Sequence, residues 1–152
     1  MRHSTKAYIM VVLQFLLLTA IVFPMSHQAP EPGIFWKIVG GLLMAVGFIT
    51  GMMAIQRINR FLSVMPEPVE GAKLITYGIY KYIRHPMYSA LVTASIGYAT
   101  FTLDVYRALL SILLLVLFEC KTQYEESRLM QVFPDYRSYQ QTTGKFFPRI
   151  FQ

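Results

Sequence analysis

RHPMYSALVTASIGYATFTLDVYRALLSILLLVLFECKTQYEE, residues 84–126, sets two apolar stretches between polar ends. Met87 to Leu103 is the first; Val105 to Phe118 is the second, interrupted near its start only by Arg107. Asp104 and Arg107 mark the tip of a tight helical hairpin, where Arg107 is expected to snorkel to lipid headgroups while its stem stays in the bilayer. Beyond Phe118 nothing breaks the helix until Pro134, so the second helix should project past the membrane and carry its carboxylates into water. When two helices fold back on one another, the entrance of the first lies beside the exit of the second. His85 is therefore predicted to sit near Glu119 to Glu126.

Working toward the N-terminus, Ile38 to Ile55 contains no charge and is long enough as a helix to cross about 27 Å. Gly47 and Gly51 lie four residues apart on it, with Gly40, Gly41 and Ala45 on preceding turns, so a neighbouring backbone can approach closely. Packing inside one protomer is the simpler reading of that face; a homodimer contact through Gly47 and Gly51 is the alternative. Ala7 to Phe23 forms another apolar run, with Gln14 its only strongly polar side chain and Arg2 and Lys6 ahead of it. No small-x-small cleavage site follows before Pro24, so it reads as a span and not as a signal peptide. Ser26 to Gly33 is an exposed loop by composition.

These runs define an all-α, polytopic membrane protein, one domain over residues 1–152. Its four spans are predicted at about 7–25, 35–56, 86–103 and 105–120, the last two forming the hairpin, followed by a helical tail. Of the 152 residues 55% are hydrophobic and 14% charged, against about 25% charged in soluble proteins. The net charge of +6 does not point to nucleic acid, because the basic residues fall between the apolar runs and not along one helix face. Arg2 and Lys6, then Arg57, Arg60, Lys73, Lys81 and Arg84, then Lys121, Arg128, Arg137, Lys145 and Arg149 share one side, with Lys37 and Arg107 as minor exceptions. The positive-inside rule makes that side cytoplasmic, including both termini and the tail, in the inner or plasma membrane of a prokaryote. Cys120 is the only cysteine, which excludes an intramolecular disulfide or a cysteine-cluster metal site; no metal is expected.

Between Gln56 and Arg84 lies a polar connector broken by Pro66, Pro68, Gly71 and Gly78. A connector of this length with tyrosines and basic residues favours a structured site at the membrane surface. Taken alone, Arg84 reads equally well as a topological anchor and His85 as an interfacial residue, with Pro86 in the first helical turn. Glu125 and Glu126 alone read as solvated charges, with Lys121 and Glu125 an ordinary i,i+4 pair.

Together these residues are more specific. Gly78-Ile79-Tyr80-Lys81-Tyr82-Ile83-Arg84-His85-Pro86-Met87-Tyr88, an apolar hairpin, and Glu125-Glu126-Ser127-Arg128-Leu129 resemble the isoprenylcysteine carboxyl methyltransferase family, with its GxYxxxRHPxY element followed by EE. Phe133, Pro134, Tyr136, Tyr139, Thr143 and Pro148 continue the resemblance over roughly the C-terminal half; Ala90 departs from the glycine common at that position. The resemblance implies a pocket for S-adenosylmethionine formed by motifs at 74–90 and 119–149. Tyr80, Arg84, His85, Tyr88, Glu125 and Glu126 match its cofactor-binding elements, and no single residue is marked as a catalytic base. The chain carries no strand followed by GxGxxG, so a dinucleotide-type fold is not the source of such a pocket.

A membrane site gains over a soluble one when its acceptor partitions into the bilayer. A lipophilic acceptor is expected, with O-methylation of a carboxylate one outcome and N-methylation of a phospholipid or lipid amine the other. The non-enzymatic alternative is a membrane scaffold assembled through its glycines.

Overall fold

The computed structural model describes residues 4–23, 30–58 and 74–149. Pro24, Ser26 to Ala29, and Arg60, Pro66, Pro68, Gly71 and Lys73 of the connector lie outside the described residues, as do Arg2 and the last three positions. The described chain is helical: α1 (Thr5–Val22), α2 (Ile34–Ile58), one 3₁₀ turn (Gly78–Lys81), α3 (Pro86–Thr102), α4 (Val105–Val132) and α5 (Tyr136–Thr142). No strand occurs among the described residues, which contain one isolated parallel bridge between Ile83 and Gly144.

Local chemistry sets the helix ends. The Ser4 hydroxyl accepts from the Lys6 N–H at the start of α1, and the Asp104 carboxylate accepts from the Tyr106 and Arg107 amides at the start of α4. Pro86 opens α3, where its missing N–H is no loss. Leu103 and Asp104 alone link α3 to α4; Leu103 takes a left-handed φ of 48° so that the chain can turn back within two residues. α4 then runs unbroken to Val132, just short of Pro134, as its composition predicts.

In space the helices are ordered by their partners: α1 packs on α4, α4 on α3, and α3 most extensively on α2. The α2–α3 contact is made by glycine. A Cβ on Gly40 would meet the Phe101 amide at 2.5 Å, one on Gly47 the Ala90 carbonyl at 2.8 Å, and one on Gly97 the Met44 amide at 2.7 Å. Helix α3 of the same chain packs against the face that carries Gly40, Gly47 and Gly51. Ile21, Val92, Leu114, Phe118 and Phe146 form the apolar core where α1, α3, α4 and the tail meet. Among the described residues, Thr5–Val22 and Ile34–Arg57 are the two helices long and apolar enough to cross a membrane by length and composition, and most of their surface faces outward.

Two charged side chains depart from the sequence expectation. Arg107 does not snorkel: it is buried, its Nε donates to the Ile21 carbonyl at 3.1 Å, its guanidinium lies over the Tyr98 ring, and Asp104 is 3.4 Å away. The orphan carbonyl at the end of α1 supplies an acceptor that local sequence cannot reveal. Lys121 is likewise no surface partner of Glu125. It is wholly buried against α1, where its Nζ donates to Gln14 Oε1 at 2.6 Å.

Candidate active site

The polar residues that flank α3 and α4 meet at one end of the bundle, and the tail closes over them. The Arg84 amide donates to the Gly144 carbonyl (2.8 Å), the His85 amide to the Lys145 carbonyl (3.1 Å), and the Gly144 amide to the Tyr82 carbonyl (3.2 Å). This short parallel pairing needs a close turn after it; a Cβ on Gly144 would run into the Phe147 carbonyl. Tyr139 Oη donates to the Tyr80 carbonyl, and Thr143 Oγ1 to that of Lys81. Lys145 reaches back to Glu119 on α4, 2.5 Å away.

Arg84 is the hub. Its Nε donates to Glu126 Oε1 at 2.8 Å, while Nη1 donates to the Gln140 carbonyl at 3.0 Å and to the Thr143 carbonyl. His85 Nε2 lies 3.0 Å from the same Glu126 oxygen, an arrangement that requires the ring proton on Nε2. Gln140 Nε2 donates to Glu126 Oε2 at 2.8 Å, so both oxygens of this buried carboxylate are engaged.

Glu125 is different. Its side chain is 25% exposed against 5% for Glu126. Oε2 accepts from Tyr88 Oη at 3.1 Å, and His85 Nδ1 is 3.8 Å away, beyond hydrogen-bond range. Among the described residues no donor is bonded to Oε1. The Tyr88 ring stacks on His85 with centroids 5.7 Å apart and on Phe118 at 4.6 Å, fixing both the imidazole and the phenol.

Charges here are displaced from their ordinary values by identifiable causes. Burial works to raise Glu126, but the hydrogen bonds and charges of His85 and Arg84 outweigh it and hold the carboxyl at about 2. Burial, with the nearby charge of Glu125, pushes the Tyr80 phenol up to about 12. Burial also drives Tyr136 and Tyr139 upward. These phenols stay protonated, and that of Tyr139 donates to the Tyr80 carbonyl.

Of the six residues the sequence singles out, Arg84, His85 and Glu126 form one bonded cluster, and Tyr88 and Glu125 form a second that touches it through the stacked His85. Tyr80 joins by burial beneath the tail and by proximity to the charge of Glu125. Gln140 is a member that the sequence reading does not single out. Its only signal is that it directly follows Tyr139 in the FPxYxxYxxxT run.

Comparison with known proteins follows this geometry. The family model described as phospholipid methyltransferase matches residues 35–136, from α2 to the first residue of α5. A methanethiol S-methyltransferase from Pseudomonas deceptionensis is 28% identical over 120 residues, which cover 77% of this chain and 44% of that protein. The solved structure of the eukaryotic intramembrane Ras methyltransferase, isoprenylcysteine carboxyl methyltransferase, superposes with a TM-score of 0.69 at 22% identity, covering 99% of this chain and 55% of that one. The chain thus spans about half the length of these relatives, and it shares the fold of the solved structure.

Proposed function

The chain belongs to the phospholipid methyltransferase family, and from that premise we propose that it transfers a methyl group from S-adenosylmethionine to a lipophilic acceptor at the cytoplasmic face of a membrane. The observation that carries the reading is the contrast between the two adjacent carboxylates. Glu126 is consumed in holding Arg84, His85 and Gln140, while Glu125 keeps an oxygen free beside a fixed phenol and imidazole. A scaffold has no need to stack and bond so many polar groups around one partly open acid.

The residues fit the cofactor. An ammonium or a ribose hydroxyl needs an acceptor, which Glu125 Oε1 supplies, and an adenine needs a flat or apolar contact, for which the aromatic groups Tyr80, Tyr88 and Phe146 are at hand. When bound, the sulfonium supplies an activated methyl with a neutral leaving group. The chain then has to align the acceptor with the methyl and keep water out. The roles of the residues divide accordingly. Arg84, Glu126 and Gln140 lock the tail to α3 and α4, His85 and Tyr88 form the wall, and Glu125 holds the donor.

Under this reading residues 1–152 form one integral membrane domain with spans at about 7–25, 35–56, 86–103 and 105–120, the third and fourth as a hairpin, and both termini cytoplasmic. The two long apolar helices, the short Leu103–Asp104 link and the basic tail support it. The names of the relatives point to different acceptors: a phospholipid for the family's description, a thiol for the S-methyltransferase and a carboxyl group for the Ras methyltransferase, with which only the fold is shared.

Calorimetric titration of the purified chain with S-adenosylhomocysteine tests the donor site; folded protein that does not bind it would leave the scaffold reading standing. With a methyl-labelled donor and membrane extract, base-labile product identifies an ester and base-stable product an alkylamine. His85→Ala and Glu125→Ala should each weaken donor binding by more than about 1 kcal/mol, since each removes a polar contact made in a partly buried site.

A further inference from the structure

Lys121 is a buried cation beside this site to which the mechanism above assigns no task. It lies one helical turn before Glu125, directly past the end of the proposed fourth span. Helical side chains lean toward the N-terminus of their helix, which aims this one back into the bundle. Its Nζ donates to Gln14 Oε1 from α1 at 2.6 Å and sits 5.2 Å from the centroid of the Tyr88 ring of α3. That same Tyr88 bonds Glu125 through its hydroxyl. Among the described residues, the groups facing Lys121 include Gln14 from α1, Tyr88 from α3 and Glu125 from its own helix, while the tail's cation Lys145 is held by Glu119.

Two properties of this arrangement matter. An amide oxygen accepts from an ammonium and, more weakly, from an amine, so Gln14 offers Lys121 an acceptor in either protonation state. Among the described residues, Arg84 pairs with Glu126 at 2.8 Å and Lys121 feels the charge of Glu125. A sulfonium amino acid brings one further positive charge into this cluster, and its thioether product brings none. In a site screened from water, an added positive charge penalises a neighbouring ammonium.

We propose that Lys121 is the proton-exchange residue of the donor site, releasing a proton when a sulfonium ligand enters and taking one up once the methyl has left. The proposal rests on the donor reading given above. Burial pushes the Lys121 ammonium down to about 8, against the opposing charge of Glu125, so the change lies within reach of physiological pH. With an amine or thiol acceptor the step balances. The acceptor forms its bond to the methyl carbon, sulfur keeps the electron pair of the broken carbon–sulfur bond and becomes neutral, the acceptor's proton is released to water, and the Lys121 amine regains a proton from water. Lys121 acts on the reaction through charge and is a positioning residue in this scheme.

The test is calorimetric titration of the full chain at pH 7 in buffers of different ionisation enthalpy, once with S-adenosylmethionine and once with S-adenosylhomocysteine. The sulfonium ligand should release roughly half to one proton more per site than the thioether, as linkage requires for a group still mostly protonated at that pH. Lys121→Arg, whose charge cannot be given up, should lose that difference and weaken sulfonium binding about tenfold relative to thioether binding. Lys121→Met should also lose the difference, and a melting curve for each variant establishes that it is folded. Equal proton counts for the two ligands in the unaltered chain, or a difference that persists in a folded Lys121→Arg, would overturn the proposal and leave the donor reading intact. Failure of the folded chain to bind either ligand would overturn both.

Discussion

Both oxygens of Glu126 are engaged by buried partners while one oxygen of Glu125 is not, so the two neighbours should respond differently to neutralisation. Glu126→Gln leaves the Arg84 guanidinium buried without its carboxylate, a loss of about 3–5 kcal/mol when a buried pair is broken from one side. Its main readout is a lowered melting temperature. Glu125→Gln should melt near the unaltered chain and show about tenfold weaker donor binding by calorimetry. The acid behaviour follows with its sign. The Glu126 carboxyl is held below its ordinary value of 4.5, so its contribution to stability is complete above about pH 4.5 and drains away as pH falls toward 2. Thermal melts from pH 6 to 3 should show that acid limb, and Glu126→Gln should flatten it. The sequence shows that these acids lie near His85, because a helix that turns back must return to its start. Which acid is open and which is locked is not visible there, since the difference is made by Gln140, fourteen residues further along and brought back by the tail.

The helices themselves are legible from hydrophobic runs and breakers: α3 and α4 start and stop within a residue or two of Pro86, Asp104 and Pro134. Their partners are less so. A glycine-rich face announces that some backbone comes close without saying whose, and only the packing assigns it to α3. Gly97→Ala should force α2 and α3 apart, costing about 1–3 kcal/mol as overpacking does. Gly41→Ala, where a Cβ would meet nothing within 4 Å, should be neutral or mildly stabilising by helix propensity. Equal melting temperatures for the two variants would contradict the close contact. Arg107 and Lys121 show the same limit of sequence reading. A charge at the edge of an apolar run is assigned by default to headgroups or water, yet a carbonyl at the end of α1 and an amide within it offer buried alternatives.

The side-by-side series α1, α4, α3, α2 carries outward-facing apolar surface on its long flanking helices and gathers its polar groups at one end. Burial removes Arg84 and Lys121 from the charges that the bilayer surface can read, while Arg57, Arg128 and Arg137 stay exposed on the same proposed side. Arg57, Arg128 and Arg137 therefore remain to set the proposed orientation. It is open to direct measurement. In a chain with Cys120 replaced by serine, Glu31→Cys should react with a membrane-impermeant maleimide from outside intact cells, and Arg137→Cys only after permeabilisation. Labelling of both from one side would refute four crossings with this handedness.

Arg84 takes its acceptors from residues 126, 140 and 143. During synthesis its guanidinium has no complete set of partners until residue 143 has been made, so the polar cluster can close only after every described helix has been synthesised.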